Sequence, residues 1–423
     1  MKSKSFMIAG NLLWLDDPMK IPILILITSC LLAPGQEPPK LKVRVIKEHL
    51  KNVPPFLLKR CSEDRRYRSI RSHGGDPATE QAVVDALRFL KNTQSESGNW
   101  PSDRTRPVAM TALGLLCFLG HGEITQSEEF GEAVKNAINF LITTAVNNKG
   151  KLASDFRDHR WPYEHAVATY ALAEAYSLCE KGMGEKITNL KRAMEVCGQF
   201  LIDHQHQGGG WDYAFSGDSA RGGDTSLTTW SLLALKSCRE SGFDFINMTR
   251  CYKKGVDYIE RMQMPSGAIG YSTPNLHGGQ DGTTLAALGA TSFQIWKSVA
   301  SKVPQKAARF IDKEMKFDWN TPDSDLYGLF FAAQTMFRQG GDQWSRFQEK
   351  FFPQIFENQA PGGFFLPTNH GDWKTINAVN PSYTLSSPYG VHFRTCLATL
   401  TLQTYYRVNR AHGTITVPKI SKN

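Results

Sequence analysis

The sequence predicts an all-α fold, an α6/α6 double-ring toroid of six helix-pair repeats. A Gln-x-x-x-Gly-x-Trp spacing recurs along the chain roughly every fifty residues. Each occurrence follows a helical segment with a charged face and precedes one that is apolar nearly all round. The apolar–polar alternation typical of strands is scarce. Because a helix without a polar face is buried on all sides, the second helices are expected to form an inner ring and the first helices an outer ring.

The repeat is clearest at two positions and weaker at four. The clean copies comprise Gln94, Gly98 and Trp100, and then Gln205, Gly209 and Trp211. Near copies with an aliphatic or aromatic third residue comprise Gln263, Gly267 and Ile269, and then Gln359, Gly363 and Phe365. The weakest copies lie around Val146 and Gly150, and around Asp312 and Trp319. The six copies begin at positions 94, 146, 205, 263, 312 and 359 and define six repeat units. They predict a toroid domain over residues 77–412, followed by a tail over 413–423.

The helices of each unit are expected in a fixed order. The first helix keeps a charged face, as in EQAVVDALRFLKN of the first unit. The second, inner helices are predicted in the segments PVAMTALGLLCFLG, YEHAVATYALAEAYSL, TSLTTWSLLALKS, GTTLAALGATSFQIW, DLYGLFFAAQTMF and HFRTCLATLTLQTYY. Since all inner helices run the same way, their N-terminal ends should gather at one end of the ring and form a mouth.

Residues 1–35 read as an export signal. An apolar run from Ile21 to Leu32 follows a short basic start and precedes Ala33-Pro34-Gly35, the small residues of a cleavage site. Met19 is then the expected true start. The stretch ending in Cys30 also resembles a bacterial lipoprotein cleavage box. We therefore expect a bacterial protein exported to the periplasm or cell envelope, with lipid anchoring through Cys30 as one alternative.

The formal net charge of +9 suggests nucleic acid at first, but its distribution argues against that partner. Lys40 to Ser72 carries eleven Lys and Arg against three Asp and Glu, which is +8 of the total. Residues 36–76 are expected to be a basic linker. It is either a solvated tether or a segment attracted to an anionic membrane surface. The cysteines form no Cys-x-x-Cys pair, so we predict no metal site and no cofactor.

The repeat with its paired helices resembles the family of squalene–hopene cyclases and protein prenyltransferase β-subunits over roughly residues 77–410. The resemblance implies a scaffold role for the turn residues Gln94, Trp100, Gln205 and Trp211. Cyclases of this family protonate an alkene with an Asp-x-Asp-Asp-Thr motif. The matching stretch here runs from Arg221 to Thr225, with Gly223 at the position of the proton donor.

The prenyltransferases of the family bind zinc through an Asp-x-Cys pair and a His. The matching positions here are Asp281, Thr283 and Arg394, with His392 two residues earlier. Thr stands where the Cys is required, and Arg is the counterpart of the His. The resemblance therefore implies the fold without either known catalytic set.

Polar and aromatic residues open the inner helices and should converge on the mouth. The catalytic candidates are Asp224, Asp281, Glu164 and His165. The candidates for ligand binding are Trp161, Tyr163, Tyr213, Arg221, Asp325, Tyr389, His392 and Arg394. For the aspartates the alternative is simple helix capping, and for the aromatic residues it is ordinary core packing.

Two classes of function remain open at this level, and whether the protein is an enzyme is undecided. The first is an exported repeat protein that binds a hydrophobic ligand or a partner in or at the mouth of its cavity. The second is an enzyme of the same architecture, either a divergent terpenoid cyclase or a lyase or hydrolase of a polymeric sugar. Apolar lumen walls would favour the first, and a cleft of Trp, Arg and carboxylates would favour the second.

Overall fold

The computed structural model describes residues 53–55, 57–100, 107–275, 282–319, 324–365 and 388–409. The chain divides into two units, residues 1–42 and 43–423, and every described residue belongs to the second. The predicted export signal, Cys30, residues 36–52 of the basic linker and the tail therefore lie outside the described residues. None of the described helices combines the length and the hydrophobicity that crossing a membrane requires.

The described chain is helical, as its periodicity predicts. The helices are α1 Glu63–Ser72, α2 Ala78–Thr93, α3 Pro107–His121, α4 Gly131–Asn147, α5 Trp161–Ala175, α6 Leu190–Asp203, α7 Thr225–Glu240, α8 Met248–Met262, α9 Thr283–Trp296, α10 Lys302–Glu314, α11 Leu326–Gln339, α12 Gly341–Phe356, α13 Pro388–Leu402 and α14 Thr404–Arg407. A π-helical segment, Tyr176–Gly182, extends α5.

The odd-numbered helices from α3 to α13 form a closed inner ring. Each packs against the next, and α13 packs back against α3. The even-numbered helices from α2 to α12 lie outside, each against the inner helices of its own and the neighbouring unit. Inner helices such as α7 are buried on nearly every side, whereas outer helices such as α8 bury one stripe. The predicted α6/α6 toroid is confirmed.

The repeated glutamine joins each turn to the next outer helix. Gln205 Nε2 donates to Gly209 O at 2.8 Å, within its own turn, and to Cys251 O at 2.9 Å, in the first turn of α8. Gln94 makes the same pair of bonds to its own turn and to α4. Gln263 bonds to α10. Gln359 Nε2 reaches Ala82 O in α2 at 2.8 Å and so ties the last unit to the first.

The repeated glycine allows this contact because it brings two backbones together. Gly209 has φ of 98°, and a Cβ there would lie 2.2 Å from Lys254 O in α8. Gly363 is placed the same way, with a Cβ 2.1 Å from Asp85 O in α2. Each contact falls three residues beyond the carbonyl that the glutamine of that turn binds. Only glycine permits both the positive φ and the close approach.

The two units that lack the glutamine use other side chains for this connection. In the second unit, His165 Nδ1 accepts from Leu152 N at 3.0 Å and Nε2 donates to Cys197 O of α6 at 3.1 Å. In the fifth unit, Gln354 of α12 reaches back and bonds to both Phe317 O and Trp319 N. The tryptophans of the clean copies anchor the turns from inside, since Trp211 Nε1 donates to Leu201 O at 2.8 Å.

The described part of the predicted basic linker is not a linker. Residues 57–76 cover the end of the toroid at which the inner helices terminate, here called the base. Arg60 and Arg66 are almost completely buried there. Arg60 NH1 donates to Glu174 Oε2 of α5 at 2.7 Å, and its NH2 donates to Arg407 O. The sequence pattern missed this because a buried ion pair between distant segments leaves no periodic signal. For residues 36–52 the linker and its membrane contact stay predictions.

A buried charge network fixes this cover. Arg66 pairs with Glu80 of α2, and Glu80 also accepts from His121 Nε2 at 3.0 Å. His121 Nδ1 lies 2.7 Å from Glu123 Oε1. Burial alone would raise the pKa of Glu80, but the charges of Arg66 and His121 outweigh it and lower the pKa to about 2. Each charge in the network has a partner, as buried charges require.

We predict that Gln205→Ala lowers the free energy of unfolding by about 2 kcal/mol, because two partly buried carbonyls lose their donor. Chemical denaturation measures this. The matched control is Gln81→Ala, since Gln81 is exposed and bonds only within its own helix, to Asp85. Equal effects of the two substitutions would contradict the bridging role of Gln205.

We predict that Glu80→Gln lowers stability by about 3 kcal/mol near neutral pH. A carboxyl with a lowered folded pKa stabilises the protein above its unfolded pKa, and this contribution is lost as pH falls through the folded value. The difference between wild type and variant should therefore shrink as pH falls from 4.5 towards 2. Unfolding free energies measured along this series test it, and a difference independent of pH would contradict the ion pairing.

Candidate functional site

The mouth of the toroid is described mainly around α5, α7 and α11. Segments 101–106, 276–281, 320–323 and 366–387, which precede other inner helices, lie outside the described residues. The candidate Asp281 is among them, and the side chain of Tyr389 is not described either. The described candidates can be followed atom by atom, and they centre on Asp224 at the N-terminus of α7.

Asp224 is the N-cap of α7 and is fully buried. Its Oδ1 accepts from Leu227 N at 2.8 Å, as a capping aspartate should. Its backbone N–H donates to Trp211 O at 2.8 Å, which fixes it to the turn of the third unit. Its Oδ2 is buried and has no hydrogen-bond partner among the described residues. Capping therefore explains one carboxyl oxygen and leaves the other unexplained.

Tyrosines from three units surround this carboxyl. Tyr163 of α5 donates to Asp224 Oδ1 at 3.4 Å. The hydroxyls of Tyr213 and Tyr271 lie 2.7 Å apart. Tyr163 and Tyr213 pack ring to ring, with centroids 5.7 Å apart. Burial is the main cause that raises the pKa of Tyr163 and of Tyr271, so both phenols stay protonated and can donate hydrogen bonds.

Arg221 covers this group from the solvent side. Its guanidinium carbon lies 4.9 Å from the ring centre of Tyr213 and 4.8 Å from that of Tyr271, so the cation contacts both aromatic rings. Arg221 itself is exposed. We call Tyr163, Tyr213, Arg221, Asp224 and Tyr271 the Asp224 cluster.

The Asp224 carboxyl stays protonated to a higher pH than the carboxyl of an ordinary aspartate. Burial raises its pKa to about 6, although the hydrogen bond from Leu227 N, the charge of Arg221 and the hydroxyls of Tyr271 and Tyr163 act in the opposite direction. A carboxyl with a raised pKa is a weaker acid than usual. It is suited to accepting or sharing a hydrogen bond, and poorly suited to protonating an alkene, which needs an unusually strong acid.

Gly223, at the position of the family's proton donor, has no room for a side chain. A Cβ there would lie 2.9 Å from Gly210 Cα and 3.0 Å from the ring of Tyr258. Its φ of 142° is also unfavourable for any other residue. The packing of the mouth therefore excludes a proton-donating side chain at position 223, and a single substitution there would not introduce one.

Below the Asp224 cluster, aromatic side chains line the described lumen. Trp230 of α7 donates through Nε1 to Tyr327 OH of α11 at 2.9 Å, and Ser226 Oγ lies 2.7 Å from the same hydroxyl. Trp230 also packs against Phe330 and, at a ring distance of 6.5 Å, against Tyr170. Trp230, Phe330 and Tyr170 are all buried, and the Tyr170 hydroxyl accepts from Arg407 NH2 on the side of the base.

Two of the catalytic candidates have structural roles instead. Glu164 accepts from Ser154 Oγ at 2.6 Å and from Ser154 N at 3.3 Å, so it fixes the loop before α5. His165 uses both ring nitrogens to bridge the second turn to α6, and burial lowers its pKa to about 3. Both ring nitrogens of His165 are therefore bonded in this structure, and a catalytic role for His165 stays a prediction.

Other predicted ligand contacts lie outside the Asp224 cluster. Trp161 packs against Phe156 and Phe215, between α5 and α6. His392 donates to Met110 O at 2.9 Å at the seam of α13 and α3, and burial lowers its pKa to about 4. Asp325 caps α11 and accepts from Thr284 Oγ1.

Arg394 is buried and contacts the segment that precedes α11. Its guanidinium carbon lies 4.3 Å from the ring centre of Trp319, and its NH1 donates to Ser324 O at 3.4 Å. A ligand role for Arg394 stays a prediction. Within the described residues no group of three or more His, Cys, Asp or Glu side chains is placed to hold a metal ion.

Sequence reasoning missed Tyr271. It stands two residues after Ile269 in the turn of the fourth unit, as Tyr213 stands two residues after Trp211 in the third. The two hydroxyls meet because equivalent positions of adjacent units are neighbours in the ring. An alignment of the six turns was the signal that could have found it.

No protein-family model matches this sequence, and no curated protein matches it. Solved structures do match. A variant of type II terpene cyclase MstE from Scytonema in complex with geranylgeranyl dihydroxybenzoate has a TM-score of 0.50 at 11% identity, covering 80% of this chain and 99% of that chain. Another variant, in complex with merosterolic acid A, has a TM-score of 0.50 at 12% identity with the same coverage.

A protein from Actinoplanes has a TM-score of 0.49 at 17% identity, covering 77% of this chain and 99% of that one. At such identities the similarity to the two cyclase structures shows a terpenoid-cyclase-like fold, an all-α toroid. It shows nothing about the reaction, because one fold hosts several chemistries.

We predict that Asp224→Asn raises the free energy of unfolding at pH 7 by up to about 3 kcal/mol. Asn caps a helix as well as Asp does and carries no buried charge. A carboxyl whose folded pKa is raised binds more protons folded than unfolded, so its cost appears as pH rises from 3.8 to about 6. The gain should vanish below that window. Unfolding free energies measured across it test the prediction.

The matched control is Asp325→Asn, because Asp325 also caps an inner helix but has both oxygens bonded, one by Thr284. We expect no stability gain from it. A destabilised Asp224→Asn protein at pH 7 would contradict a buried carboxyl whose Oδ2 has no partner in the described structure.

Proposed function

We propose that this protein binds a lipid-like, largely apolar ligand at the mouth and upper lumen of its toroid, with Asp224 as the acceptor for a ligand hydrogen bond. The observation that carries the proposal is the buried Asp224 Oδ2, which has no partner within the described residues and adjoins an aromatic lumen. Keeping a buried carboxyl half satisfied lowers stability, and such sites are typical of binding surfaces awaiting a partner group.

The ligand would contact surfaces of two kinds. Trp230, Phe330 and Tyr170 offer apolar ring faces to a hydrocarbon chain. At the mouth, Asp224 offers an acceptor, and the hydroxyl pair of Tyr213 and Tyr271 offers a donor to a polar end group, because only one of its two protons is used within the pair. A mostly apolar pocket with few polar groups is the usual form of a small-molecule site.

Within this proposal the chain belongs with the squalene–hopene cyclase and prenyltransferase repeat proteins as a member without their chemistry. Cyclisation by alkene protonation is disfavoured because the donor position is the tightly packed Gly223 and because Asp224 is a weakened acid. Sugar-polymer cleavage is disfavoured because both ring nitrogens of His165 are bonded and the described side chains directly below the Asp224 cluster are mainly aromatic and buried. Export through residues 1–35 is part of the proposal and rests on the signal-like pattern alone.

A thermal-shift series on the full chain tests the ligand class. Geranylgeraniol should raise the melting temperature, and its methyl ether, which lacks the hydroxyl donor, should bind about tenfold more weakly. Acidic and neutral oligosaccharides should have no effect. In Asp224→Asn the difference between alcohol and ether should disappear, whereas Asp325→Asn should keep it.

Stabilisation by oligosaccharides and not by isoprenoids would overturn the proposal and favour a sugar-polymer enzyme. An alcohol preference that survives in Asp224→Asn would leave a lipid site but remove Asp224 from it. No shift with any compound would favour a toroid that binds a protein partner.

A further inference from the structure

The base of the toroid collects more positive than negative charge. Besides the charge network around Glu80 described above, four further cations meet there from separate elements, and two further carboxylates accompany them. The cations are Arg60, Lys236 of α7, Arg338 of α11 and Arg407 of α14, and the carboxylates are Glu174 and Glu240. Glu174 Oε2 lies 2.7 Å from Arg60 NH1, and its Oε1 lies 3.6 Å from Arg407 NH2. Glu240 Oε1 lies 3.4 Å from Lys236 Nζ.

Arg338 is the cation left over. Within the described residues no carboxylate lies at ion-pair distance from it, and its NH1 makes a 3.3 Å bond to Gln334 O of its own helix. Burial, with the charge of Arg407 adding to it, lowers the pKa of Arg338 to about 10, although Tyr170 and Glu240 act in the opposite direction, so the charge of Arg338 is only partly compensated. A partly buried guanidinium without a carboxylate partner would be stabilised by a bound anion.

Two further donors at the base are also without acceptors. Gln334 is 3% exposed, and its Nε2 has no hydrogen-bond partner in the described structure. Arg407 Nε is buried and equally unbonded there, although NH2 of the same side chain donates to Tyr170 OH at 2.7 Å. Gln334 and Arg338 are four residues apart on α11 and continue the line of Phe330, which packs against Trp230.

Helix dipoles account for only part of this arrangement. The inner helices end at the base, and their negative ends attract cations. A dipole does not satisfy a hydrogen-bond donor, however, and the Gln334 amide and the Arg407 Nε bond none of the carbonyls at these helix ends. Several donors with net positive charge are what a tetrahedral oxyanion binds.

We propose that the base binds a phosphate-like oxyanion between α11 and α14, held by the guanidinium of Arg338, the amide of Gln334 and the Nε of Arg407. Lys236 adds charge from α7. Access comes from solvent on the side of α7 and α11, where Arg338 and Glu240 are partly exposed. The anion is either free phosphate or the head group of a phosphate-bearing lipid, and both share this chemistry. The site is distinct from the proposed lipid site at the mouth.

Calorimetric titration of the full chain tests the site with three probes: inorganic phosphate, dodecyl phosphate and, as a chain-only control, dodecanol. Arg338→Gln should weaken phosphate-bearing probes about tenfold or more. Arg239→Gln is the matched control, because Arg239 lies at the same end of α7 but stacks on Tyr252 and Trp296. It should keep wild-type affinity. Arg338→Lys retains the charge and should bind with intermediate affinity.

Binding of inorganic phosphate with this variant pattern supports the site and identifies a free anion. Binding of dodecyl phosphate alone, with the same pattern, supports it and identifies a lipid head group. Equal losses in Arg338→Gln and Arg239→Gln would reduce the effect to general charge and overturn the site. So would equal binding of dodecanol and dodecyl phosphate, or no binding of either phosphate. Asp224→Asn should leave phosphate binding unchanged, which separates this result from the test of the mouth.

Discussion

The structure depends on one repeated contact, in which a turn is fastened to the first turn of the next outer helix. A side-chain amide bonds the helix carbonyl, and a glycine lets the two backbones touch. Gln359 and Gly363 make this contact with α2 at the opposite end of the sequence, which closes the ring. Since every unit is positioned only by its neighbours, closure fixes the mouth and the base as two separate environments.

At both ends, buried polar groups need hydrogen-bond or ion-pair partners, and the two ends meet this need differently. At the base, buried arginines from residues 57–76 and from α14 are matched by Glu174 and Glu80. At the mouth the hydroxyls of tyrosines surround a carboxyl that is only half satisfied. At the base, ion pairs give every one of these buried charges a structural role except that of Arg338. At the mouth, Asp224 Oδ2 has no structural partner within the described residues, and a bound ligand would supply one.

Much of the fold could be predicted from the sequence, because the positions of its turns and helices follow from short-range periodicity. The four Gln–Gly turns, the apolar inner helices and the caps Asp224 and Asp325 all follow from local rules. The burial of Arg60 could not be predicted, since it pairs with Glu174, which is distant in the sequence and comes near only in the folded toroid. The bridging role of His165 could not be predicted either, because a bridging histidine and a catalytic one have the same sequence pattern. Only the bonds to both ring nitrogens reveal the bridge.

The central claim is that Asp224 is a buried, weakly acidic carboxyl available to a ligand. Infrared difference spectroscopy of the wild type against Asp224→Asn isolates its carbonyl band. We predict a protonated-acid band below pH 6 that is lost as pH rises, and a shift of that band when geranylgeraniol is added. A carboxylate band throughout this range, insensitive to ligand, would contradict the account and leave Asp224 a helix cap.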